Sequence, residues 1–334
     1  MKQRELNIIR IIELLADGQF HSGSDIGELL GVSRTSVGQY VSAIEKLGLD
    51  VFRVSGKGYR LAEPLQLLSK DRVSAALAEL VATSGSATAQ NADVVLERVV
   101  GSSNDYLRQL REVTTPAGFA VLAEAQTQGR GRRGKVWHSP FGSNLYMSMH
   151  WPLTQGMAGA MGLSIAVGTL IAEMLHNLGV FGVELKWPND VLVDGRKIAG
   201  ILVELEGQAT GAANAVIGVG INLAMPLSVE QNIDQPWTDL RQALQGPFDR
   251  NLLAADLIYR CREGLQTFEE KGLKPFIRTW LHYDRLALQP VKVIMGDNVI
   301  EGIAEGIDEQ GALLLSRNGK IERYHAGEVS LRYE

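Results

Sequence analysis

The sequence contains a single cysteine, and this scarcity excludes two kinds of protein. Because Cys261 is the only cysteine, an intramolecular disulfide framework is impossible. A zinc site built from several cysteines is excluded for the same reason. We interpret Cys261, which lies in a segment of helical character, as a small core residue rather than a nucleophile, and we expect a reducing, cytoplasmic environment.

A long apolar run that would span a membrane is also lacking. The longest uncharged and fairly apolar stretch, Met157 to Ala172, is interrupted by glycines, whereas a membrane-spanning helix needs ~20 apolar residues. The N-terminus leads into a charged amphipathic segment rather than a signal sequence. We therefore expect neither a membrane segment nor a leader.

The composition shows no extreme of charge or polarity. The 334 residues are 45% hydrophobic and 21% charged, with a formal net charge of −5. These values are typical of a globular protein and exclude large-scale disorder. The acidic balance argues against a protein coated in nucleic acid, although a local basic patch remains compatible with it. The length predicts two or three domains.

Residues 1–63 have the pattern of a winged helix-turn-helix. Three stretches carry apolar residues at helical spacing, and the last two are separated by a tight turn at Gly31. We expect Ser24 and Ser33 to cap the second and third helices, with Leu29 facing the core. Two short strands, 51–54 and 58–61, follow as a hairpin.

The third helix of this unit is the expected DNA reader, because helix-turn-helix proteins contact base edges near the start of that helix. Over residues 31–60 basic residues outnumber acidic ones by three. Arginine suits guanine and glutamine suits adenine, and the hairpin residues Arg53, Lys57 and Arg60 are placed to contact phosphates. The alternative is a winged helix used for protein contacts. The predicted DNA-binding residues are Ser33, Arg34, Thr35, Ser36, Gln39 and Lys57.

Residues 64–285 are predicted to form the second domain, in which 64–92 are a linker helix followed by a Ser/Thr/Ala/Gly-rich loop. Adjacent strand candidates joined by short turns, such as Asp194-Gly195, favour a mixed or antiparallel sheet, with one strong helix at 163–178. Residues 286–334 read as a small all-β domain. The candidate strands of the second domain are Phe119–Ala123, Leu145–Met149, Val183–Trp187, Val191–Val193, Lys197–Leu205 and Ala215–Leu223.

A glycine–arginine loop at 126–134 follows one of these strands. Its glycines let backbone N–H groups approach an anion, and its arginines supply donors matched to phosphate or carboxylate. The segment fits neither a P-loop nor a dinucleotide fingerprint. Composition alone supports a solvated basic loop about equally well.

Two further segments carry polar groups on apolar strands. Lys197 leads an apolar strand close to Lys186 and Asp190, so its ammonium is expected at a partly buried site. Near Asn222, the glycines at 218 and 220 permit close backbone approach. The alternative for these glycines is tight packing against the helix at 163–178.

Together, four segments resemble the biotin protein ligases, and they occur in that family's order. With the winged helix in front, the chain is similar to the bifunctional members that also repress biotin biosynthesis genes. The resemblance covers essentially the whole chain. It implies an α+β multidomain fold, with a central catalytic domain of the biotin/lipoyl ligase type and a small C-terminal SH3-like β-barrel. The segments are Gly129–Gly134, Lys186–Asp190, Lys197–Glu204 and Gly218–Asn222.

The resemblance also implies a role for each matching position. Lys197 and Arg132 match catalytic residues, and the metal ligands are left unassigned. The sequence departs from the family pattern at Gly101, Ser103, Thr127 and Gln128, which puts the affinity for biotin in question. The implied biotin contacts are Ser102, Ser103, Asn104, Gln126, Arg130, Gly131, Arg132 and Lys197. The implied nucleotide contacts are Arg132, Asn189, Asp190, Asn222 and Trp237.

The reaction implied by the resemblance has two steps, with ATP and biotin as substrates and Mg²⁺ on the phosphates. Biotinyl-5′-AMP forms first, and a lysine of the biotin carboxyl carrier protein then takes the biotin. The adenylate-bound enzyme would homodimerise and bind operator DNA. Three alternatives stay open: a lipoate-type acyl ligase, a ligand-sensing regulator without catalysis, and a ligase whose winged helix does not bind DNA.

Overall fold

A computed structural model of the chain describes residues 3–85, 93–110, 115–207, 212–226, 233–326 and 330–332. Its first unit is a winged helix-turn-helix, as predicted: three helices are followed by an antiparallel hairpin that pairs Val51 with Leu61. The elements are α1 (Gln3–Leu15), α2 (Gly23–Leu30), α3 (Arg34–Glu45), β1 (Val51–Val54) and β2 (Gly58–Leu61).

The N-cap of α3 agrees with the sequence prediction, whereas that of α2 differs from it. Ser33 caps α3, since its Oγ accepts a hydrogen bond from the N–H of Ser36 at 3.1 Å. The cap of α2 is Ser22 rather than the predicted Ser24, because α2 begins at Gly23 and Ser24 lies inside its first turn. Leu29 is 64% exposed rather than inward, since Ile26 occupies the core-facing position.

The hydrophobic core of the winged helix continues into the next unit. Phe141, which is fully buried, packs in the same cluster as Val37 and Ile44 of α3. Its N–H donates to the carbonyl oxygen of Leu47 at 2.9 Å. The winged helix is therefore packed onto the neighbouring sheet rather than tethered beside it.

The central sheet has seven strands in the order β3-β4-β5-β9-β8-β7-β6. One pair, β3 with β4, is parallel and the others are antiparallel, which confirms the predicted mixed sheet. Five short or medium helices and one long helix accompany it in the described residues. The strands are β3 (Val94–Val100), β4 (Ala120–Gln126), β5 (Asn144–Leu153), β6 (Val183–Lys186), β7 (Asp190–Val193), β8 (Arg196–Gly207) and β9 (Ala213–Asn222); the helices are α4 (Lys70–Ser84), α5 (Ser103–Leu110), α6 (Leu163–Asn177), α7 (Leu240–Ala243), α8 (Arg250–Lys271) and α9 (Lys274–Tyr283).

Helix α6 and the turn before it are unusually apolar. By length and composition alone, the span Met157–Asn177 is a candidate to cross a membrane, with a mean hydropathy of 1.6 in its most apolar window. Of that window, 56% is buried inside the fold. The core helix of a globular domain passes the same test, because a helix that is apolar all round is one that is covered by protein or lipid.

The C-terminal unit is a five-stranded antiparallel sheet in the order β13-β12-β11-β10-β14. It shares the main hydrophobic core with the central sheet, to which Val293 and Leu315 contribute from this side. The indole N–H of Trp187 crosses the boundary and donates to the carbonyl oxygen of Gly311 at 3.0 Å. The strands are β10 (Pro290–Met295), β11 (Asn298–Ile307), β12 (Leu313–Arg317), β13 (Lys320–Tyr324) and β14 (Ser330–Arg332).

Candidate ligand-binding site

One cavity collects residues from all four of the segments singled out in the sequence. It lies where α5 begins, where β4 and β9 meet the glycine–arginine loop, and where β7 turns into β8. Two predicted residues, Asn222 and Trp237, do not line it. The predicted residues that do are Ser102, Ser103, Asn104, Gln126, Arg130, Gly131, Arg132, Asn189, Asp190 and Lys197.

The lining of the cavity is strongly cationic. Among the described residues that line it, Asp190 is the one carboxylate, against six arginines and lysines. A concave surface with this excess of one sign concentrates ligands of the opposite charge. The cavity therefore suits an anionic ligand that carries phosphate or carboxylate groups. The cationic residues are Arg130, Arg132, Arg133, Lys135, Lys186 and Lys197.

Lys197 is held at a partly buried position, as its place at the head of an apolar strand predicts. The side chain is 14% exposed, and its Nζ lies 2.7 Å from Oδ1 of Asp190. The hairpin between β7 and β8, which turns through Asp194 and Gly195 at φ angles of +49° and +72°, brings the two together. Nζ also lies 5.4 Å from the ring centroid of Trp137, where the ring face favours a cation.

The glycine–arginine loop is held by hydrogen bonds of its own backbone, although several of its side chains are exposed. The N–H of Gly131 donates to the carbonyl oxygen of Lys135 at 2.7 Å, and the N–H of Trp137 donates to that of Gly129 at 2.9 Å. A Cβ atom at Gly129 would lie 2.4 Å from the carbonyl oxygen of Trp137. Glycine is required there because the two backbone segments touch.

Arg130 lines the cavity with its charge already matched. Its guanidinium donates to both carboxylate oxygens of Asp105 and lies 3.3 Å from Glu204. The hydrogen bond from Arg130 lowers the pKa of Asp105, and the same bond raises the pKa of Arg130. Arg108 joins the same carboxylates from α5. This cluster fixes the start of the loop more than it supplies a free cation.

Arg132 reaches across the cavity to two other parts of the chain. Its Nη1 donates to Oδ1 of Asn189 at 3.2 Å, and its Nη2 donates to the carbonyl oxygen of Ala326 in the C-terminal unit. Burial lowers the pKa of Arg132, while the nearby carboxylate of Asp190 opposes that shift. The contact with Ala326 was not predicted, since nothing in the sequence pattern of 320–326 points to the loop.

The uncharged end of the cavity is a closed hydrogen-bond network. Oε1 of Gln126 accepts from the N–H of Ser103 at 2.8 Å and from its hydroxyl at 3.0 Å. The hydroxyl of Ser148 reaches Oγ of Ser103 at 2.7 Å and Oδ1 of Asn104 at 2.5 Å. The sequence missed Ser148 because one serine within an apolar strand carries no signal of its own.

Trp137 forms a wall of the cavity, and the glycines make room for it. A Cβ atom at Gly220 would lie 2.5 Å from the indole, and one at Gly218 would lie 2.6 Å from Oδ1 of Asn104. These glycines therefore serve the cavity, and the alternative of packing against α6 is wrong. In the part of the chain that the structure describes, the buried indole N–H of Trp137 has no hydrogen-bond partner.

Asn222 and Trp237 lie next to Lys197 but behind the cavity lining. Asn222 is 5% exposed, and its amide donates to the carbonyl oxygen of Thr238 at 3.1 Å. The backbone of Trp237 pairs with that of Lys197 in a short parallel bridge. Both residues are thus tied to the main chain of Lys197.

Most of the predicted DNA-binding residues are exposed on the winged helix. Arg34, Thr35 and Gln39 of α3 are exposed, as is Lys57 on the hairpin. Ser33 and Ser36 are joined through their hydroxyls at 2.9 Å, in keeping with the cap.

Two hairpin arginines contact other side chains of the winged helix. Arg53 pairs with Glu45 at 2.8 Å. The guanidinium of Arg60 lies 5.0 Å from the ring centroid of Phe20 and 5.2 Å from that of Phe52. Lys57 is exposed, and its Nζ lies 5.8 Å from the ring centroid of the same Phe20.

A metal centre made of protein ligands is not evident in the described ranges, where no group of three or more His, Cys, Asp or Glu side chains could hold an ion.

Comparison with protein families matches three models along the chain. Residues 4–60 match an HTH domain, residues 96–222 match the biotin/lipoate A/B protein ligase family, and residues 289–332 match the biotin protein ligase C-terminal domain. The three matches follow the same order as the three units of the fold.

Individual relatives are similar over nearly the whole chain. The bifunctional ligase/repressor BirA of Salmonella typhimurium is 47% identical and that of Escherichia coli is 45% identical, each over 97% of both chains. Among solved structures, the biotin protein ligase from Aquifex aeolicus in complex with biotin and ATP is 27% identical, with a TM-score of 0.61 over 72% of this chain and 99% of that one.

Proposed function

This chain belongs to the family of bifunctional biotin ligase/repressors, so it ligates biotin to protein and acts as a repressor, and we propose which of its residues perform each part. The observation that carries the proposal is the cavity itself. Six cationic side chains surround one carboxylate, Lys197 is held beside that carboxylate, and a neutral polar end lies opposite. Biotin is a neutral bicyclic head with a carboxylate tail, and ATP is a polyanion, so together they match both ends.

In the first step a carboxylate oxygen of biotin attacks the α-phosphorus of ATP. The new bond is an acyl–phosphate bond, the bond from phosphorus to the β-phosphate oxygen breaks, and pyrophosphate leaves. Negative charge builds on the phosphoryl oxygens in the transition state. Preorganised cations and backbone N–H groups stabilise that charge at small cost, because they need not reorient.

Lys197 and Arg132 carry this stabilisation in the proposal. Lys197 stands beside the reacting carboxylate, and its ion pair with Asp190 holds the ammonium in place until the ligand arrives. Arg132, held by Asn189, lies where the phosphate enters. A guanidinium matches two phosphate oxygens at once, which an ammonium does not.

The neutral end of the cavity binds the head of biotin. Ser102, Ser103, Asn104 and Gln126 offer both hydrogen-bond donors and acceptors, as a cyclic urea requires. Ser103 keeps a hydroxyl in place, because Gln126 and Ser148 orient it. Arg130 and Gly131 close the loop over the ligand.

In the proposal, Mg²⁺ binds together with ATP. Its preferred ligands are carboxylate, phosphate and water oxygens, and Asp190 is the carboxylate among the described cavity residues. The donor set therefore fits an ion held mainly by phosphates and water, with Asp190 as its protein neighbour. When bound, the ion neutralises phosphate charge.

In the second step the neutral amine of a lysine on the biotin carboxyl carrier protein attacks the acyl carbon. An amide forms, the acyl–phosphate bond breaks, AMP leaves and the amine loses a proton. As the acyl acceptor, the lysine of the carrier protein must reach the mouth of the cavity. In the proposal the chain works in the cytoplasm, in keeping with its single cysteine.

The winged helix binds operator DNA through Ser33, Arg34, Thr35, Ser36, Gln39 and Lys57. With the adenylate bound, two chains form a homodimer whose winged helices match a two-fold operator. The domains divide as 1–63 for DNA binding, 64–285 for ligation and 286–334 for the C-terminal β domain. A nucleotide contact by Trp237 would come from beside Lys197, whereas the buried amide of Asn222 is already hydrogen-bonded to the backbone there.

The decisive experiment is transfer of labelled biotin to the carrier protein in the presence of ATP. The proposal expects transfer that needs ATP and is lost in Lys197→Ala. Acceptance of lipoate in place of biotin, or binding of biotin without any transfer, would contradict it. A gel shift with operator DNA, with and without biotinyl-5′-AMP, tests the repressor half.

A further inference from the structure

Two buried asparagines face each other beneath Lys197. Asn144 and Asn222 pair across β5 and β9 and are 0% and 5% exposed. Nδ2 of Asn144 donates to Oδ1 of Asn222 at 3.4 Å. Neither side chain lines the cavity. Buried amides with both ends engaged hold backbone in place more often than they bind ligands, because none of their groups is left over.

Asn222 sits where three backbone segments meet. Its Nδ2 donates to the carbonyl oxygens of Thr238 at 3.1 Å and of Lys197 at 3.4 Å. The main chains of these segments are also bonded to each other. The N–H of Lys197 donates to the carbonyl oxygen of Pro236 at 3.0 Å, and that of Thr238 donates to the carbonyl oxygen of Lys197 at 2.9 Å. Asn222 thus fixes Trp237 beside Lys197.

Asn144 performs the same task on the other side. Its Oδ1 accepts from the N–H of Leu223 at 3.0 Å, and its Nδ2 also reaches Sδ of Met225 at 2.8 Å. The N–H of Met225 in turn donates to buried Asp239 at 2.9 Å. Through these hydrogen bonds, the backbone segments 223–225 and 237–239 are both connected to the two asparagines.

We propose that Asn144 and Asn222, here called the amide pair, are positioning residues for the nucleotide. They act by setting the spacing between Lys197 and Trp237, and this inference rests on the proposed placement of ATP beside those two residues. An amide is required because each residue must donate and accept at once. A carboxylate of the same shape would point oxygen at the carbonyls of Lys197 and Thr238.

The test compares Asn222→Asp and Asn144→Asp with Asn251→Asp. Asn251 is an equally buried amide that accepts from the N–H of Ser69 at 2.7 Å and donates to the carbonyl oxygen of Leu67 at 3.3 Å, far along the chain from Lys197. We expect the KM for ATP to rise about tenfold in the amide-pair variants. The Kd for biotin, measured by calorimetry without ATP, stays within twofold. Asn251→Asp leaves both unchanged.

The milder variant Asn222→Ser keeps a hydroxyl donor and should recover part of the loss. Wild-type transfer of biotin is measured first, so a failure of the proposed function shows itself in the wild type. The amide pair is purely structural, and the inference wrong, if Asn251→Asp raises the KM for ATP as much. A uniform loss of biotin and ATP binding in Asn222→Asp and Asn222→Ser would overturn it as well.

A second feature, independent of the first, connects the winged helix to the sheet. Arg98 of β3 reaches α1, where its Nη2 lies 2.9 Å from Oε1 of Glu13. Its Nη1 donates to the carbonyl oxygen of Leu68 in the linker at 2.8 Å, and lies 3.4 Å from Oε1 of Glu124. One side chain therefore contacts the winged helix, the linker and the catalytic sheet.

Glu124 anchors this contact from inside the fold. Its side chain is 0% exposed, and its other oxygen accepts from Arg250 at 2.8 Å. Arg250 also donates to the carbonyl oxygens of Gln66 at 2.6 Å and Asn144 at 2.7 Å. A buried carboxylate of this kind is tolerated only with cations in fixed geometry. Arg98 thus contacts the buried carboxylate of Glu124 on one side and Glu13 of α1 on the other.

We infer that Arg98 fixes the orientation of the winged helix relative to the ligase. Phe141 holds the two units together at one place, through its buried ring and its hydrogen bond to the carbonyl oxygen of Leu47, and Arg98 adds a second fixed contact at α1. A two-fold operator requires two reading helices at a set spacing. The inference rests on the proposed binding of such an operator by a dimer.

The test measures operator binding and biotin transfer for Arg98→Met, which keeps the apolar stem and removes the charge. We expect operator affinity to fall about tenfold while kcat/KM for biotin transfer stays within twofold. Glu13→Gln should act in the same direction, and the double variant should lose less than the sum of the two. The control is Arg72→Met, which removes a linker-helix arginine paired with Asp249.

Operator binding by the wild type is measured first. If the wild type does not bind the operator, the proposed repressor function fails, and this outcome is distinct from a failure of the inference about Arg98. Operator affinity within twofold of wild type in both Arg98→Met and Glu13→Gln would overturn the inference. An equal loss in Arg72→Met, or a parallel loss of transfer activity, would show general destabilisation and overturn it too.

Discussion

The proposed DNA-reading face, formed by the predicted DNA-binding residues of the winged helix, and the ligand cavity hold their charged groups in opposite ways. On the winged helix, Arg34, Gln39 and Lys57 are exposed and come from one short stretch of chain. In the cavity, Lys197 is already paired with Asp190 at 2.7 Å, and Arg130 and Arg132 are hydrogen-bonded to distant segments. The proposed DNA-binding side chains are exposed, whereas Lys197, Arg130 and Arg132 in the cavity already have protein partners.

This difference predicts how each region responds to substitution. Preassembled groups share partners, so removing one of them disturbs several others, and the effects should be large and non-additive. Exposed groups act almost independently, so each loss should be moderate and confined to DNA binding. The following expectations are ordered by size.

The largest effect is expected for Lys197→Ala. Removal of the ammonium takes away transition-state stabilisation and leaves Asp190 as an unmatched carboxylate in the site. Transfer of biotin to the carrier protein should fall about 100-fold or more. The measurement is steady-state transfer of labelled biotin. Lys320→Ala, on an exposed strand of the C-terminal unit, should match the wild type; a tenfold loss there would remove the contrast.

The next effect is expected for Gly220→Ala. The new methyl group would lie 2.5 Å from the ring of Trp137 and push that wall into the cavity. The Kd for biotin, measured by calorimetry, should rise about tenfold, since overpacking typically costs about 1–3 kcal/mol. Gly168→Ala is the control, because its nearest neighbour would be at 3.5 Å, an ordinary contact. Equal affinities for the two variants would refute the close-approach account.

Arg34→Ala tests the reading face. Loss of a base or phosphate contact should weaken operator binding by about ten- to 100-fold, with unchanged biotin transfer. The measurement is a salt titration of operator affinity, which separates a phosphate contact from a base contact by its slope. Loss of biotin transfer in Arg34→Ala would show that the two regions are not separable.

The smallest effect concerns the N-caps of α2 and α3. Ser33→Ala removes the hydroxyl that accepts from the N–H of Ser36, and should lower the free energy of unfolding by about 1 kcal/mol. Ser24→Ala should leave stability unchanged, because Ser22 caps that helix. Thermal unfolding of both variants checks this. A larger loss in Ser24→Ala than in Ser33→Ala would contradict the cap assignment.

The same contrast explains what the sequence could predict. The winged helix was found from local periodicity, and the error at Ser24 and Leu29 amounted to a shift of the helix start. The β7–β8 hairpin was found from Asp194-Gly195 because turn chemistry is local. Strand β3 and helices α5 and α9 were not predicted, since their pattern is mixed polar and apolar and their burial depends on distant elements.

For the cavity, the sequence supplied the residues but not their partners. The segments around Arg132 and Lys197 stood out by composition and by family resemblance. The role of Ala326 in holding Arg132, of Ser148 in orienting Ser103, and of Asn222 beneath Lys197 depends on contacts between residues far apart in the chain. No local pattern encodes such contacts.

The most direct test of the central claim is a crystal structure of the protein with biotinyl-5′-AMP bound. The account predicts that the acyl–phosphate group lies within hydrogen-bond distance of Lys197 and Arg132, with the biotin head against Ser103 and Gln126. A ligand bound elsewhere, or bound with Lys197 and Arg132 turned into solvent, would contradict it.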